Sequence, residues 1–76
     1  MQRAYVLIET VGGKSKEVAD ALRKLPGIAK SDVVTGPYDV IAVAEGPDAN
    51  TVGRLVLNEI RGIQGINKTM TCLAVE

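Results

Sequence analysis

The segment that decides the fold of this chain is Thr35–Gly46, with the sequence TGPYDVIAVAEG. Gly36 and Pro37 begin it with a turn, because glycine tolerates a positive φ and proline has a fixed φ. The apolar run Val40–Ala44 follows, and it is short enough to be a strand. Alternate residues of a strand point to opposite faces of its sheet, and here both sets are apolar. The run therefore predicts a central strand of a sheet that is covered on both sides, with Gly36–Asp39 at its end as the candidate functional segment.

The rest of the chain predicts alternating strands and helices. Ala4–Ile8 predicts a strand that is apolar on both faces, and Ile28–Thr35 predicts a second strand with a weaker pattern. Ile66–Val75 predicts the last strand. Ser15 and Asp48 are predicted N-caps, each followed by apolar residues at helical spacing. These residues predict two amphipathic helices: Val18, Ala19, Leu22 and Leu25 in the first, and Val52, Leu55, Val56 and Ile60 in the second.

The two halves of the chain resemble each other. Leu25–Ser31 aligns with Ile63–Thr69, and Tyr5 aligns with Val43 at the same offset of 38 residues. This similarity predicts two β-α-β units in tandem. Two such units interleave into a four-stranded antiparallel sheet with both helices on one face, the ferredoxin-like arrangement. We therefore predict an α+β fold, a β-α-β-β-α-β sandwich whose first and third strands are central.

The chain has 76 residues, which corresponds to one domain, residues 1–76. A chain this small buries only about 60% of its unfolded surface, and usually needs disulfides, a metal or self-association for stability. It has one cysteine and no histidine, so an internal disulfide and a Cys/His metal site are excluded. No cofactor is expected. Self-association remains as the expected source of additional stability.

The charge of the chain is balanced, with nine basic and nine acidic residues. Phosphate binding needs a clustered positive excess, so we expect no direct contact with nucleic acid. No apolar run approaches the length of a membrane span, and the first residues do not have the pattern of a signal peptide. A free cysteine without an export signal predicts a cytoplasmic protein.

The predicted fold leaves one face of the sheet without a cover. Two helices cover one face, yet the first, third and fourth strands are apolar on both faces. An exposed apolar face of this size marks an interaction site. We therefore predict a homodimer that packs through its sheet faces or edges, with two-fold symmetry as the default. A monomer with a less polar second face is the alternative.

Tyr38 and Asp39 are the strongest candidates for ligand contact. The carboxylate of Asp39 could accept hydrogen bonds from an ammonium group, and the exposed N–H groups of the Gly36 turn could bind a carboxylate. The alternative is a hairpin turn in which Asp39 bonds to the local backbone and Tyr38 packs at the end of a strand.

The predicted last strand offers two hydroxyl groups on one face. Thr69 and Thr71 could contact a ligand, although threonine is also a common strand residue. Glu9 and Thr10 end the first strand and could line the rim of the same candidate ligand site. Cys72 is predicted to be a small buried apolar residue, as free cysteine usually is. No neighbouring group is expected to activate its thiol.

Two motifs in the chain resemble those of a known family. Gly36–Ala44 contains Gly-x-Tyr-Asp before an apolar strand, and Ile63–Thr71 contains Ile-x-Gly-Ile-x-x-Thr-x-Thr. Together they resemble the C-terminal effector domain of the Lrp/AsnC transcriptional regulators, the RAM domain, named for regulation of amino-acid metabolism. The resemblance covers nearly the whole chain, and includes Gly13–Ser15 and Leu25–Ile28.

The resemblance implies a ferredoxin-like domain of the dimeric α+β barrel type. It implies dimers formed through the sheets, further assembly into octamers, and amino acids or related metabolites bound in clefts between subunits. The effector-binding residues it implies are Gly36, Tyr38, Asp39, Thr69 and Thr71. Full-length family members carry an N-terminal helix-turn-helix, and this chain shows none. A stand-alone version without a DNA-binding domain is therefore expected.

Three hypotheses follow for function. The first is a stand-alone amino-acid sensor or modulator, acting alone or by co-assembly with a full-length Lrp/AsnC regulator. The second is a structural assembly module whose turn residues serve only packing. The third is a small enzyme with the dimeric α+β barrel fold. The third is the least supported, because the sequence has no histidine and no carboxylate pair that could be placed at one site. We predict that the chain is not an enzyme.

Overall fold

The computed structural model describes residues 1–75 and has the predicted β-α-β-β-α-β order. The second helix begins as an α-helix and continues without a break as a π-helical segment. The elements are β1 (Gln2–Thr10), α1 (Ser15–Arg23), β2 (Ile28–Val33), β3 (Val40–Gly46), α2 (Ala49–Arg54), the π-helical segment (Leu55–Ile60) and β4 (Ile66–Leu73). No helix within residues 1–75 is long and apolar enough to cross a membrane.

The four strands form one antiparallel sheet in the order β2-β3-β1-β4. This confirms the ferredoxin-like prediction, including the central position of the first and third strands. Both central strands, β1 and β3, are apolar on both faces, as their sequences predicted.

One face of the sheet packs against the helices and forms the hydrophobic core. In β1 and β3 every second residue points to this face, as the strand period requires. The apolar stripes of the two helices pack against these residues, which confirms the predicted helical pattern. Its buried members include Val6, Ile8, Val40, Ala42 and Ala44 of the sheet and Val18, Leu22, Val52 and Ile60 of the helices.

The opposite face of the sheet has no covering element in residues 1–75, and we call it the open face. Residues directly opposite each other in antiparallel strands share a face. Tyr5 lies opposite Val43 and Cys72, and Leu7 lies opposite both Ile41 and Met70. The relative exposure of Tyr5 is 40% and that of Met70 is 44%. The apolar side chains of the open face are Tyr5, Leu7, Ile41, Val43, Met70 and Cys72.

The prediction that Cys72 is buried was wrong, since its side chain is exposed in the chain as described. It lies on the open face of β4, which is an edge strand and receives no layer from the helices. Free cysteine is usually buried, and the prediction rested on that preference. Cys72 is exposed because no described element covers the open face and β4 lies at the edge of the sheet.

The internal repeat is present, but its two parts follow different offsets. Gly27 and Gly65 adopt similar left-handed conformations, with φ of 95° and 99°. Their carbonyl groups accept equivalent hydrogen bonds, Gly27 from the N–H of Glu45 and Gly65 from the N–H of Val11, both at 2.8 Å. Val11 and Glu45 are therefore equivalent positions, and they lie 34 residues apart in the sequence (45 − 11). The two glycines lie 38 residues apart (65 − 27), which is the predicted offset.

The predicted alignment of Tyr5 with Val43 is thus displaced by four residues. Three of the four additional residues of the second unit lie in its helix, which has twelve residues from Ala49 through Ile60, whereas α1 has nine. The fourth lies in the connection to β4. The last turn of the longer helix is wound more widely, and the N–H of Arg61 donates to the carbonyl of Val56 at 3.0 Å. Neither the extra turn nor its π winding follows from the apolar spacing.

Candidate functional site

The loop before β3 is held against the end of β1. Gly36 has a φ of 156°, as its glycine identity allows. The N–H of Val34 donates to the carbonyl of Asp39 at 2.9 Å and closes the loop. The N–H of Asp39 donates to the carbonyl of Ile8, also at 2.9 Å. The candidate segment Gly36–Asp39 therefore has a defined position beside the central strand pair.

The carboxylate of Asp39 bonds to the end of β1. Its Oδ2 accepts a hydrogen bond from the backbone N–H of Thr10 at 2.8 Å and lies 3.3 Å from Thr10 Oγ1. Thr10 Oγ1 in turn lies 2.9 Å from the hydroxyl of Ser15. Asp39 thus bonds to backbone, as the turn alternative required, but to a residue that is distant in sequence. The other oxygen, Oδ1, accepts no hydrogen bond from the described residues and is not among their buried unpaired atoms.

Ser15 does not occupy the predicted N-cap position. Lys14 is the cap residue of α1 and makes no side-chain cap bond, while Ser15 is the first helical residue. The Ser15 hydroxyl contacts Thr10 instead of the helix backbone. The predicted cap of the second helix is confirmed, because Asp48 accepts a hydrogen bond from the N–H of Thr51 at 2.8 Å. This bond lowers the pKa of the Asp48 carboxyl.

Tyr38 contacts the open face. Its hydroxyl donates to Sδ of Met70 at 3.5 Å. Met70 lies opposite Leu7 in the sheet, so the Tyr38 side chain reaches from the start of β3 across β1 to β4. Tyr38 as a whole is partly buried. Tyr38 therefore forms part of the rim of the open face.

Thr69 and Thr71 lie on the other face of β4. They are opposite Ile8 and Val6, both of which point into the core beneath the helices. Thr69 is partly buried and Thr71 is exposed. Since β1 separates β3 from β4, Asp39 and Thr69 flank β1 from opposite sides, at roughly two strand spacings, or about 10 Å.

The five predicted site residues therefore form two groups within one chain. Gly36, Tyr38 and Asp39 share one loop, whereas Thr69 and Thr71 share a strand whose hydroxyls face away from the Tyr38–Met70 contact. The predicted position of Thr10 near the candidate site is accompanied by a bond to Asp39 that no local sequence pattern indicates. The same prediction placed Glu9 at the rim of this site, whereas Glu9 Oε1 accepts a hydrogen bond from Asn67 Nδ2 at 2.6 Å, on the side of β4.

Thr69 borders a polar groove of about 430 Å³. Arg61 and Lys68 contribute positive charge to its walls, and neither forms an ion pair among the described residues. Asn67 and Ile66 complete the lining. The groove has the charge and the polarity to accept a carboxylate.

Comparison with known proteins identifies a family model for the whole domain. The model described as the Lrp/AsnC ligand binding domain matches residues 3–76. The HTH-type transcriptional regulator PF0250 of Pyrococcus furiosus is 32% identical over 74 residues, covering 93% of this chain and 49% of that protein. The chain spans about half the length of the curated relatives it matches.

Solved structures match over the full length of the chain. TTHA0845 from Thermus thermophilus has a TM-score of 0.94 at 33% identity, and the match covers 100% of this chain and 95% of that one. The hypothetical protein PHS023 from Pyrococcus horikoshii has a TM-score of 0.93 at 30% identity, with 100% and 92% covered. Two more distant structures share the fold, each with 99% of this chain covered. They are AsnC of E. coli (TM-score 0.90, 16% identity, 51% of that chain) and the L-Met complex of NMB0573 from Neisseria meningitidis (0.85, 19%, 50%).

Proposed function

The chain belongs to the family of Lrp/AsnC ligand binding domains, and on that premise we propose that it is a stand-alone sensor that self-associates and binds a small amino acid between subunits. The family is the one that the Gly-x-Tyr-Asp and Thr-x-Thr motifs indicated. The matched regulators support a role in transcription regulation. The neutral charge supports a regulatory role without direct nucleic-acid contact.

The observation that carries the proposal is the open face. Its apolar side chains are uncovered in the single chain, and Tyr5 and Met70 are each at least 40% exposed. Burial of apolar surface contributes a free energy of roughly 25 cal/mol per Å². Covering several hundred Å² therefore contributes a free energy that is large beside the total stability of a domain, about 5–15 kcal/mol. A second copy of the chain supplies a surface of the same apolar character. A two-fold contact between the two open faces would bury the apolar side chains of both.

The separation of the predicted ligand residues supports a site that needs two subunits. Asp39 and Thr69 are too far apart on one chain for both to contact the same end of a small ligand. In an assembly, the loop of one subunit would face β4 of another. Asp39 Oδ1 would accept from the ammonium group, while the groove with Arg61 and Lys68 would accept the carboxylate. The L-Met complex of NMB0573 supports this class of ligand.

Ligand binding would act on the assembly. A ligand that contacts two subunits favours the state in which they are joined, by an amount set by its differential affinity for the two states. The same coupling would operate in a mixed assembly with a full-length Lrp/AsnC regulator. The 95% coverage of the TTHA0845 chain supports the stand-alone form.

The experiment is titration calorimetry against the twenty common L-amino acids, with sedimentation of the protein in the presence and absence of each. We expect at least one amino acid to bind and to shift the mass distribution above that of the 8.0 kDa chain. A panel in which no amino acid releases heat or changes the mass would reject the sensor function.

A purely structural assembly module is the second candidate, and one observation favours it. The Asp39 carboxylate already bonds to Thr10, as a packing residue would. Thermal melts separate the two functions, because a ligand that binds only the folded protein raises the melting temperature by mass action. A sensor has a higher melting temperature when the concentration of its amino acid is well above Kd. A structural module has the same melting temperature with every amino acid of the panel.

A further inference from the structure

We propose that Thr10 and Ser15 are positioning residues for Asp39. They hold its Oδ2 so that Oδ1 is presented to the ammonium group of the ligand, and they connect the ligand loop to the first turn of α1. The part of this inference that concerns the ammonium group rests on the proposed function. The positioning itself rests only on contacts within the chain.

The hydroxyl groups form a directed chain. An ionised carboxylate only accepts hydrogen bonds, so the Thr10 hydroxyl, 3.3 Å from Oδ2, donates its proton to Asp39. The oxygen of Thr10 is then free to accept from the Ser15 hydroxyl at 2.9 Å. Together with the 2.8 Å bond from the N–H of Thr10, this places two donors on the same carboxylate oxygen. Hydrogen bonds in such a chain strengthen one another.

The two donors on Oδ2 fix the rotation of the carboxylate. The remaining oxygen accepts nothing from the described residues, although a carboxylate oxygen has two lone pairs. Since Oδ1 is not a buried unpaired atom, it is accessible to solvent or to a ligand. A fixed acceptor binds a charged donor better than a mobile one, because the ordering has already taken place. The chain thus provides one oriented acceptor for a cationic donor.

The same contacts reach the start of α1. Ser15 is the first helical residue, and the cap residue Lys14 has no side-chain cap bond. The Ser15–Thr10 contact is therefore a side-chain connection from this helix end to the loop that carries Asp39. A ligand that draws the carboxylate of Asp39 toward itself changes the contact at Ser15. The first turn of α1 is the element expected to respond to binding.

The first test needs no ligand. Three-bond couplings measured by NMR report the χ1 rotamer of Asp39 in the wild type and in Thr10→Val, Thr10→Ser and Ser15→Ala. The backbone N–H of Thr10 is retained in all four proteins, so the fold is expected to persist. We expect a single rotamer in the wild type and Thr10→Ser, and averaged couplings in Thr10→Val. Unchanged couplings in Thr10→Val would overturn the positioning role.

The second test uses the strongest binder of the amino-acid panel and its N-acetyl derivative, which lacks the ammonium group. Loss of the hydroxyl in Thr10→Val is expected to weaken the free amino acid about tenfold, whereas Thr10→Ser should stay within about twofold of the wild type. The N-acetyl derivative should bind equally to all three. A destabilised but otherwise normal protein would weaken both ligands alike, and that result would overturn the ammonium role.

The two tests separate this inference from the proposed function. If no amino acid binds, the sensor function and the ammonium role both fail, while the couplings still decide whether Thr10 positions Asp39. If an amino acid binds, and neither the couplings nor the affinities change in Thr10→Val, the sensor function stands and the positioning role is rejected.

A third measurement tests the connection to α1. The amide hydrogen exchange rate in the first turn of α1 should change when the amino acid binds to the wild-type protein. An unchanged rate would reject the connection to α1.

Discussion

Val6 and Leu7 are neighbours in β1, yet they have different surroundings. Val6 is fully buried beneath the helices, whereas Leu7 lies on the open face between Ile41 and Met70 and is only partly buried. The two faces of the sheet have the same apolar character at their centre. They differ in what covers them: the helices of the chain itself on one side, and no described element on the other. One set of apolar residues therefore stabilises the fold, while its neighbours along the same strands remain available for a partner.

The largest effect is expected in the core. Replacement of Ile8 by alanine removes a side chain that is fully buried and should lower the free energy of unfolding by about 2–5 kcal/mol. The matched variant is Leu7→Ala on the open face. Urea unfolding at two protein concentrations separates them. The loss in Ile8→Ala should appear at both concentrations, whereas the loss in Leu7→Ala should grow at the concentration where the chains associate. Equal behaviour of the two variants would contradict the division between the faces.

A charge on the open face should prevent self-association. Ile41→Lys places an ammonium group in the proposed contact, where it has no partner, and should weaken association by at least about 100-fold. Leu57→Lys is the control, because Leu57 is 62% exposed on the π-helical segment, away from the open face. Sedimentation should show an 8.0 kDa particle for Ile41→Lys and the wild-type mass for Leu57→Lys. A wild-type mass for both variants would move the contact to another surface.

A smaller effect is expected from Ser31, a polar residue on the helix-covered face. Its hydroxyl is buried and has no partner among the described residues, while its carbonyl accepts two hydrogen bonds from Arg23, at 2.7 and 3.1 Å. Ser31→Ala removes the unpaired hydroxyl, keeps the carbonyl, and should stabilise the fold by about 1 kcal/mol in urea unfolding. A loss of stability would indicate that the hydroxyl has a bound water as its partner.

The smallest effect concerns pH and lies at the start of the second helix. The bond from Thr51 lowers the pKa of Asp48 in the folded protein, so its contribution to stability is present above the unfolded pKa and is lost as the pH falls through the folded pKa. The melting temperature should therefore decrease below about pH 4. Asp48→Asn keeps a capping side chain that does not titrate, so its melting temperature should decrease less on acidification than that of the wild type. Identical pH profiles would exclude Asp48 as the titrating group.

The motifs predicted the two groups of candidate ligand residues but not their separation. Gly-x-Tyr-Asp and Thr-x-Thr are local patterns, and each places its own residues correctly on a loop and on a strand. The strand order puts β1 between them, and the parity of β4 turns Thr69 and Thr71 toward the helix side while Tyr38 contacts Met70 on the open face. Their place in a ligand site stays a prediction.

The sequence by itself determined the fold class, the central strands and the apolar faces, because a strand period of two and a helical period of 3.6 are local properties that side-chain chemistry reveals. Tertiary structure alone decided the exposure of Cys72, the four-residue difference between the units, the π-helical segment and the bond from Thr10 to Asp39. The exposure of Cys72 and the bond from Thr10 to Asp39 depend on which residues meet across the sheet. That is a consequence of register and edge position, and no pattern within a single segment contains it.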